Sequence, residues 1–169
     1  LMHYNYYRSI NSWSVPQILH TDNSPFGKSI FPCKRLSELA NINPKTDFSK
    51  LSATDELSFI PMEDISDTYG EWTGERTIKK SEVKGYTKFQ IGDIIWAKIT
   101  PCMQNGKSAF LQNLVNSKGC GSTEFHVIRI KSEDVLPQYI HILLRHVDVL
   151  SDAKKYFTGS AGQQRVPES

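Results

Sequence analysis

Residues 94–130 constrain this chain more tightly than any other stretch. The run Ile94-Ile95-Trp96-Ala97-Lys98-Ile99-Thr100 has the length and the β-branched and aromatic content of a strand. Pro101 has no amide to give to a ladder, so the strand ends or bulges there. Asn105-Gly106 then signals a tight hairpin, because both residue types tolerate positive φ. Residues 108–114 alternate and return as the partner strand. A second glycine-bearing turn over 116–121 leads into 122–130, where Thr123, Phe125 and Val127 share one face and Glu124, His126 and Ile128 the other. The expectation is a three-stranded antiparallel meander whose loops present Lys98, Gln104, Asn105, Lys107, Lys118, Ser122 and Thr123.

The flanks are less regular. Residues 1–30 form an aromatic opening segment (Tyr4, Tyr6, Tyr7, Trp13) without a clean period. A short strand is expected over 31–36, then a brief helix over 38–40 capped by Ser37 and stopped ahead of Pro44. Residues 57–62 read as a short strand, placed at an edge or an end by Pro61. Residues 66–75 read as a loop, and 77–84 as loop-like or a weak strand. Beyond the meander, Pro137 suits a first helical position. Ile140, Leu143, Leu144 and Val147 follow at helical spacing, predicting an amphipathic helix over 137–149 and a shorter one over 152–157. The fold class expected is α+β: a curved, mostly antiparallel sheet with helices packed at one side.

Charge is informative through its distribution. The formal net charge is only +2, but 55–71 carries Asp55, Glu56, Glu63, Asp64, Asp67 and Glu71 and no base. Residues 76–88 carry Arg76, Lys79, Lys80, Lys84 and Lys88 against Glu82 alone. A near-neutral chain with a basic middle can hold a polyanion on one face; a merely solvated surface has the same pattern. Three irregularly spaced cysteines, Cys33, Cys102 and Cys120, argue against a disulfide framework and for a reducing cytoplasm. No apolar run reaches membrane-spanning length.

An ordered series of short motifs carries a resemblance. Ser58-Phe-Ile-Pro-Met-Glu-Asp-Ile65, Lys84-Gly-Tyr-Thr-Lys-Phe-Gln-Ile-Gly-Asp93 and Ala97-Lys-Ile-Thr-Pro-Cys-Met-Gln-Asn-Gly-Lys107 come first. Gly121-Ser-Thr-Glu-Phe-His126, Leu136-Pro-Gln-Tyr139 and Thr158-Gly-Ser-Ala-Gly-Gln-Gln-Arg165 follow. Together they resemble the target recognition domain of type I restriction-modification specificity subunits, over roughly 57–165. In that family two such domains are joined by long helices that hold adenine methyltransferase subunits. The resemblance therefore implies a DNA target recognition domain over 31–157. Residues 158–169 would begin the linker to the helical spacer, which makes the chain a fragment. The opening segment fits this family less well, and would equally trail a methyltransferase domain in single-chain enzymes that fuse cleavage, methylation and specificity.

The implied work is binding to one half of a bipartite double-stranded DNA site, while methyltransferase and restriction subunits do the chemistry. No cofactor is expected on this chain; S-adenosylmethionine, ATP and magnesium belong to those partners. The implied DNA-binding set is Arg76, Lys79, Lys80, Lys84, Lys88, Lys98, Thr100, Gln104, Asn105, Lys107, Ser122, Thr123, Gln163, Gln164 and Arg165. Lys98, Thr100, Ser122 and Thr123 lie in shared motifs and so suit phosphate positioning. Discrimination is expected from 67–84 and from Gln104, whose amide can pair with an adenine edge.

Catalytic readings are weaker. Asn43-Pro44-Lys45 does not fit an Asn-Pro-Pro-Tyr methylation motif, and Gly119-Cys120-Gly121 lacks the third glycine of a phosphate loop. Cys102 with His126 wants an orienting third group. Cys102, Cys120, His126 and His141 lack the paired spacing of structural zinc. The competing enzyme reading is a magnesium-dependent nuclease using Glu82, Lys84 and Asp93. A third is a protein-interaction domain docking through the Ile140 helix. Glu124 reads as a structural pin beside a lysine or a backbone donor.

Overall fold

The computed structural model describes residues 34–160 and 163–168. The aromatic opening segment and the first part of the expected 31–36 strand lie outside these residues. Among the described residues, eight strands form two four-stranded sheets. The first has the order β1 (Ala40–Ile42), β8 (Phe125–Ile130), β5 (Ile94–Ala97), β6 (Ser108–Phe110), antiparallel throughout. The second has the order β3 (Thr77–Lys79), β2 (Glu56–Ile60), β7 (Lys118–Gly121), β4 (Thr87–Gln90), with β2 and β7 parallel.

The α+β class holds, with mostly antiparallel strands, but the single meander does not. β8 pairs with β5, not with β6 (Ile94↔Ile128, Ala97↔Phe125). The glycine-bearing turn expected over 116–121 contains strand β7, which belongs to the other sheet. Its glycines answer crowding rather than turning. A Cβ on Gly121 would sit 2.0 Å from the Ile60 carbonyl oxygen, and one on Gly119 would sit 2.4 Å from Phe89. β2 is interior rather than an edge, because Pro61 falls just past its last paired residue. Likewise the helical turn lies at Leu36–Leu39, and Ala40 already belongs to β1.

The layers follow from strand alternation. Ile94 and Trp96 of β5 and Ile128 of β8 face a helical layer, meeting Leu36, Leu39, Ile140, Leu143, Leu144 and Val149. Ile95, Phe125 and Val127 point the other way, onto Ile60 and Phe89 of the second sheet. With both faces covered, β5 is buried along its whole length, so it reads as a continuous apolar run. Phe48, Leu57, Val83 and Cys120 make a smaller cluster on the far face of the second sheet.

The helix expected over 137–149 is two. α2 (Pro137–Leu144) ends at Arg145, and extended His146 caps α3 (Val147–Ala153) by accepting from the Asp148 amide. Hence Val147, expected on the buried face, is 69% exposed. (The helical turn at Leu36–Leu39 is α1 in this order.) A 3-10 turn, Lys154–Tyr156, takes the place of most of the second helix expected.

The candidate nucleic-acid interface

A groove of about 450 Å³ opens where the two sheets meet, lined by Asn43, Pro44, Lys45, Thr46, Tyr86, Thr87, Lys88, Lys98, Phe125 and Val127. Three lysines and no carboxylate line it. Each wall comes from a different element, and one buried ion pair ties them together. Asp93, 1% exposed, takes the Arg129 Nε and Nη2 at 2.7 and 2.8 Å and the Gln90 amide at 2.8 Å. Held this way, Arg129 donates onward to the Thr46 hydroxyl at 2.9 Å and to the Lys45 carbonyl at 3.3 Å. Thr46 in turn donates to the Lys88 carbonyl at 3.2 Å on β4. The Asp93 carboxylate keeps the Arg129 pKa raised, so the clamp stays charged.

The 43–46 wall is fixed at its start by Asn43, which adopts φ 47° and leaves β1. Its side-chain oxygen accepts from the Val127 amide at 2.9 Å, standing in for a ladder carbonyl. Its side-chain nitrogen lies 3.2 Å from Nδ1 of His126. The His126 Nε2 lies 2.9 Å from the Val166 carbonyl. That geometry suits a neutral ring donating from Nε2, and burial lowers the His126 pKa in agreement. Lys88 also passes its ammonium over the Phe48 ring, 5.4 Å from the centroid.

The fifteen residues expected to meet DNA separate into groups. Lys88 and Lys98 line the groove. Gln104, Asn105 and Thr123 are exposed, while Thr100 is half-buried. Other cations are committed to protein. Lys107 donates to the Met62 carbonyl at 3.0 Å, and Lys80 to the Leu51 carbonyl. Arg76 pairs with Glu63 and Asp64 at 3.2 and 3.1 Å. Arg165 makes two 2.8 and 2.8 Å bonds to Glu124 and lowers that carboxyl's pKa. Glu124 is a pin as expected, but its partner is Arg165 rather than the lysine or backbone donor expected.

Around that pin, Thr100 donates its amide to the Gln164 carbonyl and Val166 donates to the Lys98 carbonyl, so 164–166 runs as a strap beside Lys98. Gln164 is half-buried in it, and Gln163 just before it is exposed. The Ser122 hydroxyl accepts from the Glu124 amide. Lys79 and Lys84 are exposed but do not line the groove.

The Asn105-Gly106 hairpin is not a two-residue turn. β5 and β6 are joined by the ten-residue loop 98–107, and only Gly106 of the pair has positive φ (73°). Buried Met103 plugs this loop into the core, leaving Gln104 and Asn105 at its tip. Lys45, Thr46 and Asn43 went unseen in the sequence, which offers Asn43-Pro44-Lys45 only as a failed methylation motif. The Asn-Pro turn signal was the available clue.

The nuclease set is not assembled for metal chemistry. Both Asp93 oxygens are engaged by Arg129, and the Glu82 carboxylate accepts from the Lys79 amide. No group of three or more metal-ligating side chains gathers among the described residues. Among the same residues, no helix is long and apolar enough to cross a membrane.

Comparison with known proteins adds kinship to this geometry. No family model matches the chain. Over 135 residues (79% of the chain) it is 43% identical to the type I restriction enzyme EcoEI specificity subunit of Escherichia coli. Over 134 residues (78%) it is 43% identical to the EcoAI specificity subunit of the same organism. The chain spans 22% of each of these relatives. Among solved structures it aligns at TM-score 0.62 and 21% identity with a chain of a type I R-M system, covering 79% of this chain and 34% of that one. It aligns at TM-score 0.59 and 18% identity with the HsdS subunit from Thermoanaerobacter tengcongensis, with the same coverages, 79% and 34%. These two likenesses show the fold.

Proposed function

We propose that this chain, a relative of one segment of type I restriction specificity subunits, is a sequence-specific recognition domain for double-stranded DNA. It binds one half of a bipartite site and directs adenine methylation and restriction carried out by methyltransferase and restriction subunits. The chain itself turns nothing over; S-adenosylmethionine, ATP and magnesium are used by those partners, in the cytoplasm. The named relatives are separate specificity subunits, which favours that setting over a fused single-chain enzyme.

One observation carries the reading: the groove between the sheets is lined by Lys45, Lys88 and Lys98, with no carboxylate among its lining residues. Such a lining suits a row of phosphates, whose displaced counterions make binding fall with salt. Neutralising three phosphates gives a log–log salt slope of about −2.7 from these side chains. Exposed Gln104 and Asn105 supply amides of the kind that read adenine edges.

The test is a salt titration of binding to a fixed duplex. Lys98→Ala and Lys88→Ala should each weaken binding and flatten the slope by about 1. If both variants bind cognate and unrelated duplexes as the unaltered protein does, the groove is not the phosphate contact. Incubation with plasmid and magnesium separates the nuclease alternative, which requires cleavage that Glu82→Ala abolishes.

A further inference from the structure

Arg145 stands in the break between α2 and α3, and its guanidinium is spent on two loops that share no ladder. Nη1 donates to the Gly106 carbonyl, and Nη2 to the Asp67 and Thr68 carbonyls at 2.8 and 2.9 Å. Lys107 adds a second staple between the same regions, through the Met62 carbonyl at 3.0 Å. The close approach is on the Gly70 side. A Cβ on Gly70 would lie 2.5–2.6 Å from the Arg145 guanidinium atoms, and both Gly70 and Gly106 have positive φ (69° and 73°). A side chain at Gly70 would therefore push the fork out of place.

What the staples hold out is polar and aromatic rather than basic. Asp67, Thr68 and Tyr69 on one loop and Gln104 and Asn105 on the other are all exposed, Tyr69 at 76%. An Asp can accept from cytosine, amides can pair with adenine, and a tyrosine ring can stack on or wedge beside a base. Asp67 would be repelled by a phosphate row, so this surface suits base edges and the lysine groove suits the backbone. The planar, five-donor fork of arginine is needed because three carbonyls from two directions must be met at once; lysine has a single charged point.

We propose that the 67–69 and 104–105 tips form one composite base-reading element, and that Arg145 is the positioning residue that sets their spacing. This rests on the DNA-recognition reading above, and it adds where discrimination resides and what holds it in register. Arg145 touches no base. It acts on preference, whereas the lysines act on affinity.

The experiment presents the intact protein with a pool of duplexes bearing a randomised centre, sequenced before and after binding. A salt titration on one fixed duplex runs beside it. Arg145→Ala should lose roughly fivefold or more of the enrichment at each base pair read by the tips, with the salt slope unchanged. Tyr69→Ala and Gln104→Ala, at exposed positions, should keep the melting temperature and each lose part of the same motif. Adding Tyr69→Ala to Arg145→Ala should remove little more, since neighbours acting as a unit are non-additive.

Arg145→Ala retaining the full motif overturns the proposal. Should that variant fail to fold, Tyr69→Ala and Gln104→Ala decide, and full motif retention by both overturns it too. An unaltered protein that binds every duplex in the pool alike also refutes it, while leaving phosphate binding intact. No binding to any duplex refutes the recognition reading itself.

Discussion

Asp93→Asn tests whether one buried ion pair holds the groove together. The carboxylate is 1% exposed and accepts three N–H bonds, two of them from Arg129, which keeps 22% exposure. The substitution keeps shape but removes the charge, and turns an amide NH2 toward a guanidinium that has only donors. Removing one partner of a buried pair costs about 3–5 kcal/mol. Arg129 can recover some hydration through its exposed part, so the lower end applies, about 3 kcal/mol. That is about a 150-fold shift in the unfolding constant, or a melting temperature lower by about 6–12 °C.

Arg129→Met should cost more, about 5 kcal/mol, because it strands the carboxylate where water hardly reaches it. The double substitution Asp93→Asn, Arg129→Met should be more stable than Arg129→Met alone, which requires a coupling of more than about 3 kcal/mol against the additive sum of about 8. Urea unfolding followed by tryptophan fluorescence measures all four proteins, and salt titration on a duplex reads the groove. Losing Arg129 also frees Thr46 and the Lys45 carbonyl, so affinity should fall in both Met-bearing variants even where stability recovers. An Asp93→Asn protein within about 0.5 kcal/mol of the unaltered one, or costs that simply add, would refute this account.

Other consequences are quicker to check. Burial, then the nearby Arg145 charge, moves the His141 pKa from 6.5 down to about 4, while its Nε2 meets the Ser108 hydroxyl at 3.1 Å. The folded ring stays neutral while the unfolded one protonates, so stability holds above about 6.5 and falls as pH drops towards about 4. The loss approaches about 3 kcal/mol, and His141→Gln should flatten that stretch of the unfolding profile. Gly121→Ala forces a Cβ onto the Ile60 carbonyl and should cost about 1–3 kcal/mol in the same denaturation assay. Cys120 is fully buried with its pKa raised to about 12, so a thiol-labelling time course of native protein should leave it unmodified while half-buried Cys102 reacts.

Local pattern was legible where a segment answers to its own neighbours. The β5 run, the β8 alternation and the Pro137 helix start all appear close to where their residues place them. Pairing was not legible, because it is settled by distant partners. Gly119 and Gly121 read as turn residues, yet their bareness serves the close passage of Phe89 and the Ile60 carbonyl. The same applies to charge. Lys107 and Arg165 look like free cations in the text, and only the folded chain brings the Met62 carbonyl and Glu124 to them. Arg145 sits in a run read for its apolar spacing, so nothing local marks it as a staple.

Between Ser108 and Ile130 the backbone crosses from the first sheet into the second and back again, through β6, β7 and β8. Neither sheet is one continuous segment: β5 and β6 lie between the first and last strands of the second sheet, and all of the second sheet lies between β1 and β8. Recombination that traded specificity by swapping one layer would leave a ladder missing a rung. A viable exchange of preference must move the entire two-sheet body as a block, or change only the tips that project from it.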